Sequence, residues 1–179
     1  FFSPASISAA LSMTAAGAEG ETAREMFSVL HGTENRKSWL AEMGELSRSL
    51  NAQGEGFVLE MANRLWGQNG FQFRADYLDF VEQAFAAPLG QLDFVGAAEP
   101  SRKTINDWVS DKTHDRINDL LPPGSINGET RLVLTNAIYF KADWKHEFEK
   151  RATQNQPFTT SGGNRVSVPL MFQQKQLAY

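Results

Sequence analysis

The three histidines are the side chains of this sequence best suited to catalysis, but none stands in a catalytic or metal-binding pattern. His31, His114 and His146 lack the spacing of metal ligands, and no Gly-x-Ser-x-Gly nucleophile elbow lies near them. Acidic residues are dispersed, and the segment GAEGET lacks the Gly-Lys-Ser/Thr ending of a phosphate-binding loop. There is no cysteine, which excludes thiolate chemistry. We therefore expect no enzyme activity, no metal and no cofactor.

One polar side chain stands where an apolar one is expected, in the segment TRLVLTNAIYFKADW. Both alternating faces of this segment are otherwise largely apolar, which predicts a strand inside a sheet that is covered on both sides. Asn136 interrupts that pattern at the centre. A buried amide without a partner costs about 1–3 kcal/mol, so its partners must be built into the fold. A hydrogen bond to a nearby loop is the simplest interpretation.

A helix start precedes this strand by more than a hundred residues. Ser3 is suited to the N-cap position and Pro4 to the first helical position, because Ser accepts a hydrogen bond from a free helix amide and Pro has no amide hydrogen. The helix predicted for residues 4–16 carries small side chains nearly all round. Since a helix without a polar face is usually buried on most sides, we expect this one to be buried.

Hydrophobic periodicity predicts the elements that must position these residues. The predicted helices are residues 4–16, 21–30, 36–50, 75–86 and 100–121, and the predicted strands are residues 57–66, 89–94, 132 onward and 165–171. Helices come first and long strands later, without strict β-α-β alternation. That order favours an α+β fold.

Composition excludes several classes of partner. The 179 residues have a net charge of −4 and are 41% hydrophobic, which is enough for a globular core. Lys and Arg are scattered singly, so no basic surface for nucleic acid or anionic lipid is expected. No apolar run approaches the roughly 20 residues of a membrane-spanning helix.

Several segments together resemble the serpin family of serine protease inhibitors. FFSPASISAALSMTAAGAEGETAREM resembles the serpin segment that enters helix B, with its Phe-Ser-Pro-x-Ser-Ile core and later Gly-Ala-x-Gly-x-Thr. VLTNAIYFKADWKHEFE is similar to serpin strand 3A, INDWVSDKTHDRI to helix F, and VPLMFQQKQLAY to a strand of the sheet beyond it. The matches follow the family order along nearly the whole chain. Ala142 is a departure, since the family commonly has Gly there, and it affects only local backbone freedom.

The resemblance implies a serpin fold, an α+β architecture in which helices surround a large mixed β-sheet A. Residues 1–179 are then expected to be an incomplete single serpin domain, running from about helix B through the strands after strand 3 of sheet A. Helix A and the reactive-centre loop are not in this sequence. The two leading phenylalanines, with no initiator methionine, are accordingly expected to mark an internal cut. The remaining part of the same serpin is the partner needed to complete the fold.

The resemblance also implies a function, suicide-substrate inhibition of a serine protease. The protease cleaves an exposed loop and forms an acyl-enzyme, and the cleaved loop inserts into sheet A and traps the protease. The alternative is a non-inhibitory serpin acting as a carrier, chaperone or storage protein; the loop hinge that separates the two is not in this sequence. The resemblance also suggests an extracellular or secreted protein. Residues 36–50 carry only Arg36, Lys37 and Arg48, which argues against a glycosaminoglycan site.

By the same resemblance, five residues govern movement of the sheet. Ser3, Ser6 and Asn136 correspond to the shutter, the polar region beneath the strands that separate. Trp144 corresponds to the breach, where the loop first enters, and Trp108 lies on the helix that covers the sheet. Each also has a simpler interpretation: Ser3 as a helix cap, and the two tryptophans as ordinary core or helix-face aromatics. The reactive bond itself lies outside this sequence.

Overall fold

The computed structural model describes residues 3–176, which fall into two compact units divided between Lys141 and Ala142. Phe1 and Phe2, on which the expectation of an internal cut rests, lie outside the described residues. So does the end of the predicted VPLMFQQKQLAY strand. The architecture combines helices with a mixed sheet, which confirms the predicted α+β class.

The α-helices of the described residues lie in the larger unit, and most begin and end within a residue or two of the predicted positions. They are α1 (Pro4–Ala16), α2 (Gly20–Val29), α3 (Arg36–Leu50), α4 (Ala75–Phe85) and α5 (Ala98–Lys112). Side-chain caps explain two of the starts. The Ser3 Oγ accepts from the Ser6 N–H at 3.3 Å, and the Asn35 Oδ1 accepts from the Ser38 N–H at 3.2 Å. Within residues 3–176, no helix is long and apolar enough to cross a bilayer.

The end of α5 differs from its prediction. Apolar periodicity predicted a helix through residue 121, but it ends at Lys112. His114 and Asp115 have φ angles of 50° and 60°, in the left-handed region, which a right-handed helix cannot contain. Ile117 therefore lies beyond the helix and is 39% exposed.

One side of α1 is buried and the other is exposed, so the expected burial on most sides is wrong for this chain. Ile7 and Leu11 are 48% and 42% exposed. The buried side packs into a core with Leu65, Val81 and Phe85 through Met13. The buried positions of α1 are Ser6, Ala9, Ser12, Met13 and Ala15.

The main sheet of the larger unit is built around one long strand. Its strands are β1 (Ala52–Gly54), β2 (Phe57–Gln68), β3 (Leu89–Leu92) and β4 (Leu132–Ala142). β1 pairs with β2 in antiparallel register, β3 pairs with β2 in parallel register, and β4 also pairs with β2. β2 and β4 are antiparallel, because the Gln68 N–H donates to the Arg131 carbonyl while Asn63, earlier in β2, contacts Asn136, later in the chain.

β4 is an edge strand among the described residues, because β2 is the one strand there that pairs with it. Thr135 and Ala137 are buried at its centre, but Leu132 and Phe140 are 40% and 57% exposed. The prediction of a strand inside a sheet covered on both faces is therefore wrong within this chain. Both faces of β4 are apolar, yet in the described residues the sheet ends beside it.

Helices α3 and α4 approach each other very closely at one point. A Cβ atom on Gly44 would overlap the carbonyl oxygen of Ala84, so only glycine allows this distance. Four residues further along α3, Arg48 donates from Nη1 to the carbonyl oxygens of Gln83, at 2.8 Å, and Ala84. These contacts fix the last turn of α4 against α3.

The smaller unit contains a β-hairpin. Its strands are β5 (Gln154–Thr159) and β6 (Arg165–Leu170), paired in antiparallel register and preceded by a 3₁₀ turn at Lys150–Ala152. β6 agrees with the strand predicted for residues 165–171, whereas the sequence predicted no bounds for β5.

Candidate functional site

Asn136 lies at the centre of a polar cluster that joins α1 to two strands of the sheet. The Ser6 Oγ donates a hydrogen bond to the Asn136 Oδ1, and the Asn136 Nδ2 donates to the Asn63 Oδ1 at 2.7 Å. Ser6 and Asn63 are 2% and 6% exposed. We call Ser6, Asn63 and Asn136 the asparagine cluster. Its partners come from a helix and a neighbouring strand, so the simplest interpretation, a bond to a nearby loop, is wrong.

Ser3 holds the start of the helix that supplies Ser6. The Ser3 Oγ accepts from the Ser6 N–H, which confirms the predicted N-cap. Among the described contacts, Ser3 reaches the asparagine cluster only through Ser6. One helical turn thus carries both the cap and the hydroxyl that binds Asn136.

Asn63 was not singled out from the sequence, although the sequence carries the signal. In the alternating pattern of β2, it falls in the same set as Leu59, Met61 and Leu65. It therefore breaks an apolar face just as Asn136 does in β4. Two polar residues on the apolar faces of neighbouring strands can satisfy each other's hydrogen bonds, as Asn63 and Asn136 do.

A second contact layer joins β4, β2 and α5. The Trp66 indole N–H donates to the Thr135 Oγ1 at 2.9 Å, deep in the sheet. The ring of Trp66 meets Trp108 edge to face, with centroids 5.8 Å apart and an angle of 84°. Trp108, on α5, therefore packs against the sheet through this pair, and its role in movement of the sheet stays a prediction.

Polar contacts tie the segment after α5 back to that helix. The Arg102 side chain is only 8% exposed and binds Glu99 with two hydrogen bonds of 2.8 Å. Its Nη1 donates to the Leu121 carbonyl at 2.5 Å, and the Asn106 Oδ1 accepts from the Leu121 N–H at 2.9 Å. The hydrogen bonds from Arg102 hold the pKa of the Glu99 carboxyl below its usual value.

His114 is exposed and follows α5. Its Nε2 lies 2.9 Å from the Glu60 Oε2, and its ring centroid lies 4.1 Å from that of Tyr139. Across residues 3–176, no group of three His, Asp or Glu side chains is arranged to hold a metal ion. The absence of catalysis stays a prediction.

Trp144 lies in the smaller unit and is not a core residue there. Its side chain is 64% exposed and meets Phe148 edge to face, with centroids 5.3 Å apart. The simpler interpretation of Trp144 as a core aromatic is therefore wrong for the described residues. Its predicted position at the entry point of a loop stays a prediction.

Comparison with known proteins gives one consistent result. The family model described as serpin (serine protease inhibitor) matches residues 1–179. The leukocyte elastase inhibitor of Xenopus tropicalis is 39% identical, and the aligned region covers all of this chain and 48% of that protein. Serpin B6 of Macaca fascicularis is 40% identical, and the aligned region covers 97% of this chain and 47% of that protein. The native stressed structure of Arabidopsis AtSerpin1 matches with a TM-score of 0.84 and 31% identity, over 99% of this chain and 47% of that one. The chain thus spans about half the length of these proteins.

Proposed function

Because the chain belongs to the serpin family of serine protease inhibitors, we propose that the protein carrying it traps a serine protease by loop insertion. Residues 1–179 are then part of one serpin domain, which the remaining half of such a protein completes. The protease attacks a loop outside this chain and forms an acyl-enzyme. The cleaved loop enters the sheet beside β4 and carries the protease with it.

The match to the serpin family carries this proposal, and the side of β4 that is unpaired among the described residues supports it. In the described residues β4 pairs with β2 on one side only. The backbone groups of an edge strand are a template for a further strand. Each backbone hydrogen bond gained contributes about 0.5–1.5 kcal/mol, and buried apolar side chains add to that. Serpin loop insertion is itself a standard example of such strand addition.

The asparagine cluster supports the shutter role proposed for Ser6 and Asn136, and Asn63 joins them. Strand separation must break and remake contacts under the sheet. A tightly fitted apolar contact resists such a shift, whereas amides and hydroxyls can exchange one hydrogen-bond partner for another. Ser3 takes part by fixing the helix turn that carries Ser6.

Trp108 and Trp144 have separate proposed roles. Trp108 anchors α5 to Trp66 of the sheet, so α5 must loosen before the sheet can accept a strand. Trp144 is proposed to guide the entering loop, and its 64% exposure supports a side chain available for new contacts. Replacing Trp144 with Ala is therefore expected to slow or misdirect loop entry with little loss of stability.

The proposed target is a serine protease, and an elastase is the first to test, since one relative is named leukocyte elastase inhibitor. No nucleic acid, membrane or glycosaminoglycan partner is proposed. An extracellular location rests on family resemblance alone and stays a prediction.

A denaturing gel tests the proposal directly. The complete protein is incubated with neutrophil elastase, trypsin, chymotrypsin and subtilisin, and each protease is also used after its active-site serine has been blocked with phenylmethylsulfonyl fluoride. We expect an SDS-stable band at the summed mass with at least one active protease and with none of the blocked ones. Loop cleavage without that band across the panel, and without a rise in heat stability, would overturn the proposal and favour the carrier, chaperone or storage alternative.

A further inference from the structure

A cavity of about 220 Å³ lies behind the asparagine cluster, between β2, the last turns of α3 and α4, and α5. All of its lining residues belong to the larger unit. Its volume is several times the ~30 Å³ that one water molecule occupies in the liquid. It is therefore large enough for a small ligand.

The lining of this cavity is basic. Arg48, Arg64 and Lys112 all face it, and no Asp or Glu is among its lining residues. The chain as a whole carries a net charge of −4, so the positive charge of the cavity lining is opposite in sign to the net charge of the chain. Like charges around one space repel each other unless an anion or solvent compensates them.

Arg64 is the least exposed of these three cations. Its guanidinium carbon lies 4.4 Å from the ring centroid of Trp66, within the range of a cation–π contact. The Nε of Arg64 is buried and has no hydrogen-bond acceptor within the part of the chain that the structure describes. A buried donor without an acceptor is unfavourable, and in native proteins a ligand or ordered water usually satisfies it.

The two other cations are already engaged, but neither is neutralised by a buried acid. Arg48 donates from Nη1 to the carbonyl oxygens of Gln83 and Ala84 at the C-terminal end of α4, so its charge faces helix carbonyls and no carboxylate. The Lys112 Nζ lies 3.0 Å from the Asp111 carboxylate in an exposed pair. Exposed pairs of this kind are weak and exchange readily for a better-placed anion.

We propose that this cavity binds a small oxyanion, a carboxylate, phosphate or sulfate group, with Arg64 as its main ligand. A guanidinium offers parallel N–H donors that match two oxygens of such a group, and Arg48 and Lys112 supply further charge. Asn63 links the site to the asparagine cluster, because it lines the cavity and accepts from Asn136.

The site also has a proposed effect on inhibition, which rests on the proposed function. A bound oxyanion bridges Lys112 on α5 to Arg64 on β2, and therefore opposes the loosening of α5 that strand insertion requires. Occupancy is expected to slow formation of the covalent protease complex.

Isothermal titration of the complete protein with sodium phosphate and with sodium acetate, at ionic strength matched with chloride, tests the site without any protease. We expect saturable one-to-one binding of at least one of the two probes, weakened roughly tenfold or more by Arg64→Gln. The control Arg24→Gln removes an equal charge from an exposed position on α2, outside the cavity, and is expected to bind as the unaltered protein does.

A second variant protects the test against misfolding. If Arg64→Gln does not fold, Lys112→Gln replaces a half-exposed side chain and is expected to weaken binding several-fold. Absence of saturable binding of both probes to the unaltered protein, or equal affinity in the cavity variant and the control, overturns the proposal. Binding without any effect on the rate of covalent complex formation leaves the site intact and contradicts only its regulatory effect.

Discussion

The Ser6 hydroxyl donates a hydrogen bond to the side-chain oxygen of Asn136, although the two residues stand 130 positions apart in the chain. This bond joins the first turn of a helix to the middle of an edge strand. Asn136 passes the connection on to Asn63 of the neighbouring strand. Three elements distant in sequence are thus held by one amide.

The coupling between Ser6 and Asn136 can be measured with a double-mutant cycle in the complete protein. Ser6→Ala and Asn136→Ala are each expected to lower the free energy of unfolding by about 1–3 kcal/mol, because each leaves a buried partner unpaired. The double variant should recover about 0.5–3 kcal/mol relative to the sum. Chemical denaturation provides the values. Strict additivity, as expected when Ser6→Ala is combined with Asn118→Ala at an exposed site, contradicts the direct bond.

Asn136→Asp changes the chemistry of the cluster at constant size. A carboxylate cannot donate to the Asn63 Oδ1 as the Asn136 amide does, and it places negative charge at a half-buried site. We expect lower stability and faster loop insertion or polymer formation, measured by denaturation and native gels. Asn69→Asp, in an exposed turn, is the matched control. Unchanged unfolding and polymerisation rates for Asn136→Asp would rule out a role of the amide in holding the sheet closed.

Variants of Ser3 can separate its role as a helix cap from its proposed role in movement of the sheet. Ser3→Ala removes the acceptor for the Ser6 N–H and is expected to cost about 1 kcal/mol of unfolding free energy. Ser3→Asn keeps a capping oxygen and should preserve most of that stability. If both variants inhibit at the same rate despite different stabilities, Ser3 acts as a cap alone. A rate change that follows loss of the cap supports its proposed shutter role.

Replacing Trp108 should loosen α5. Trp108→Leu removes the edge-to-face contact with Trp66, and such aromatic pairs contribute about 0.5–1.5 kcal/mol beyond their buried area. If that contact must break before insertion, the rate of covalent complex formation rises by a few-fold to about tenfold. Trp108→Phe, which keeps an aromatic ring, is the control. A slower or unchanged rate in Trp108→Leu counts against displacement of α5.

Stability is expected to depend on pH through Glu99. Its hydrogen bonds to Arg102 keep the folded-state pKa below the ordinary value of 4.5, so the unfolded chain takes up a proton at higher pH than the folded chain does. The stabilisation is therefore present above pH 4.5 and is lost as the pH falls through the lowered folded-state pKa. In thermal melts, Glu99→Gln should reduce the fall in melting temperature between neutral and acid pH. Glu25→Gln, at an exposed position on α2, should leave it unchanged.

Local signals in the sequence identify residues of the candidate site, but they do not identify the residues that these side chains contact. Ser3 and Pro4 predict the helix start through their own chemistry, and Asn136 stands out because it interrupts an apolar strand. Periodicity within one strand contains no information on which strand lies beside it. The contact between Asn136 and Asn63, 73 residues apart, is therefore visible only in the fold.

Two other differences have physical causes that periodicity does not report. The end of α5 is set by left-handed backbone at His114 and Asp115, which lack the glycine that usually signals such a turn. Leu132 and Phe140 are exposed because no element among the described residues covers their side chains. An apolar pattern predicts that a face prefers burial, but the covering element has to be supplied by other residues.

Hydrogen exchange along β4 can report whether another strand lies beside it in the complete protein. In an edge strand, every second backbone amide points away from its neighbour and can exchange its hydrogen with water. The amides that point toward β2 are protected in any arrangement, while the alternate set is protected only when another strand occupies the open side. Deuterium uptake along β4 thus alternates from residue to residue when that side is empty and becomes uniformly slow when it is filled.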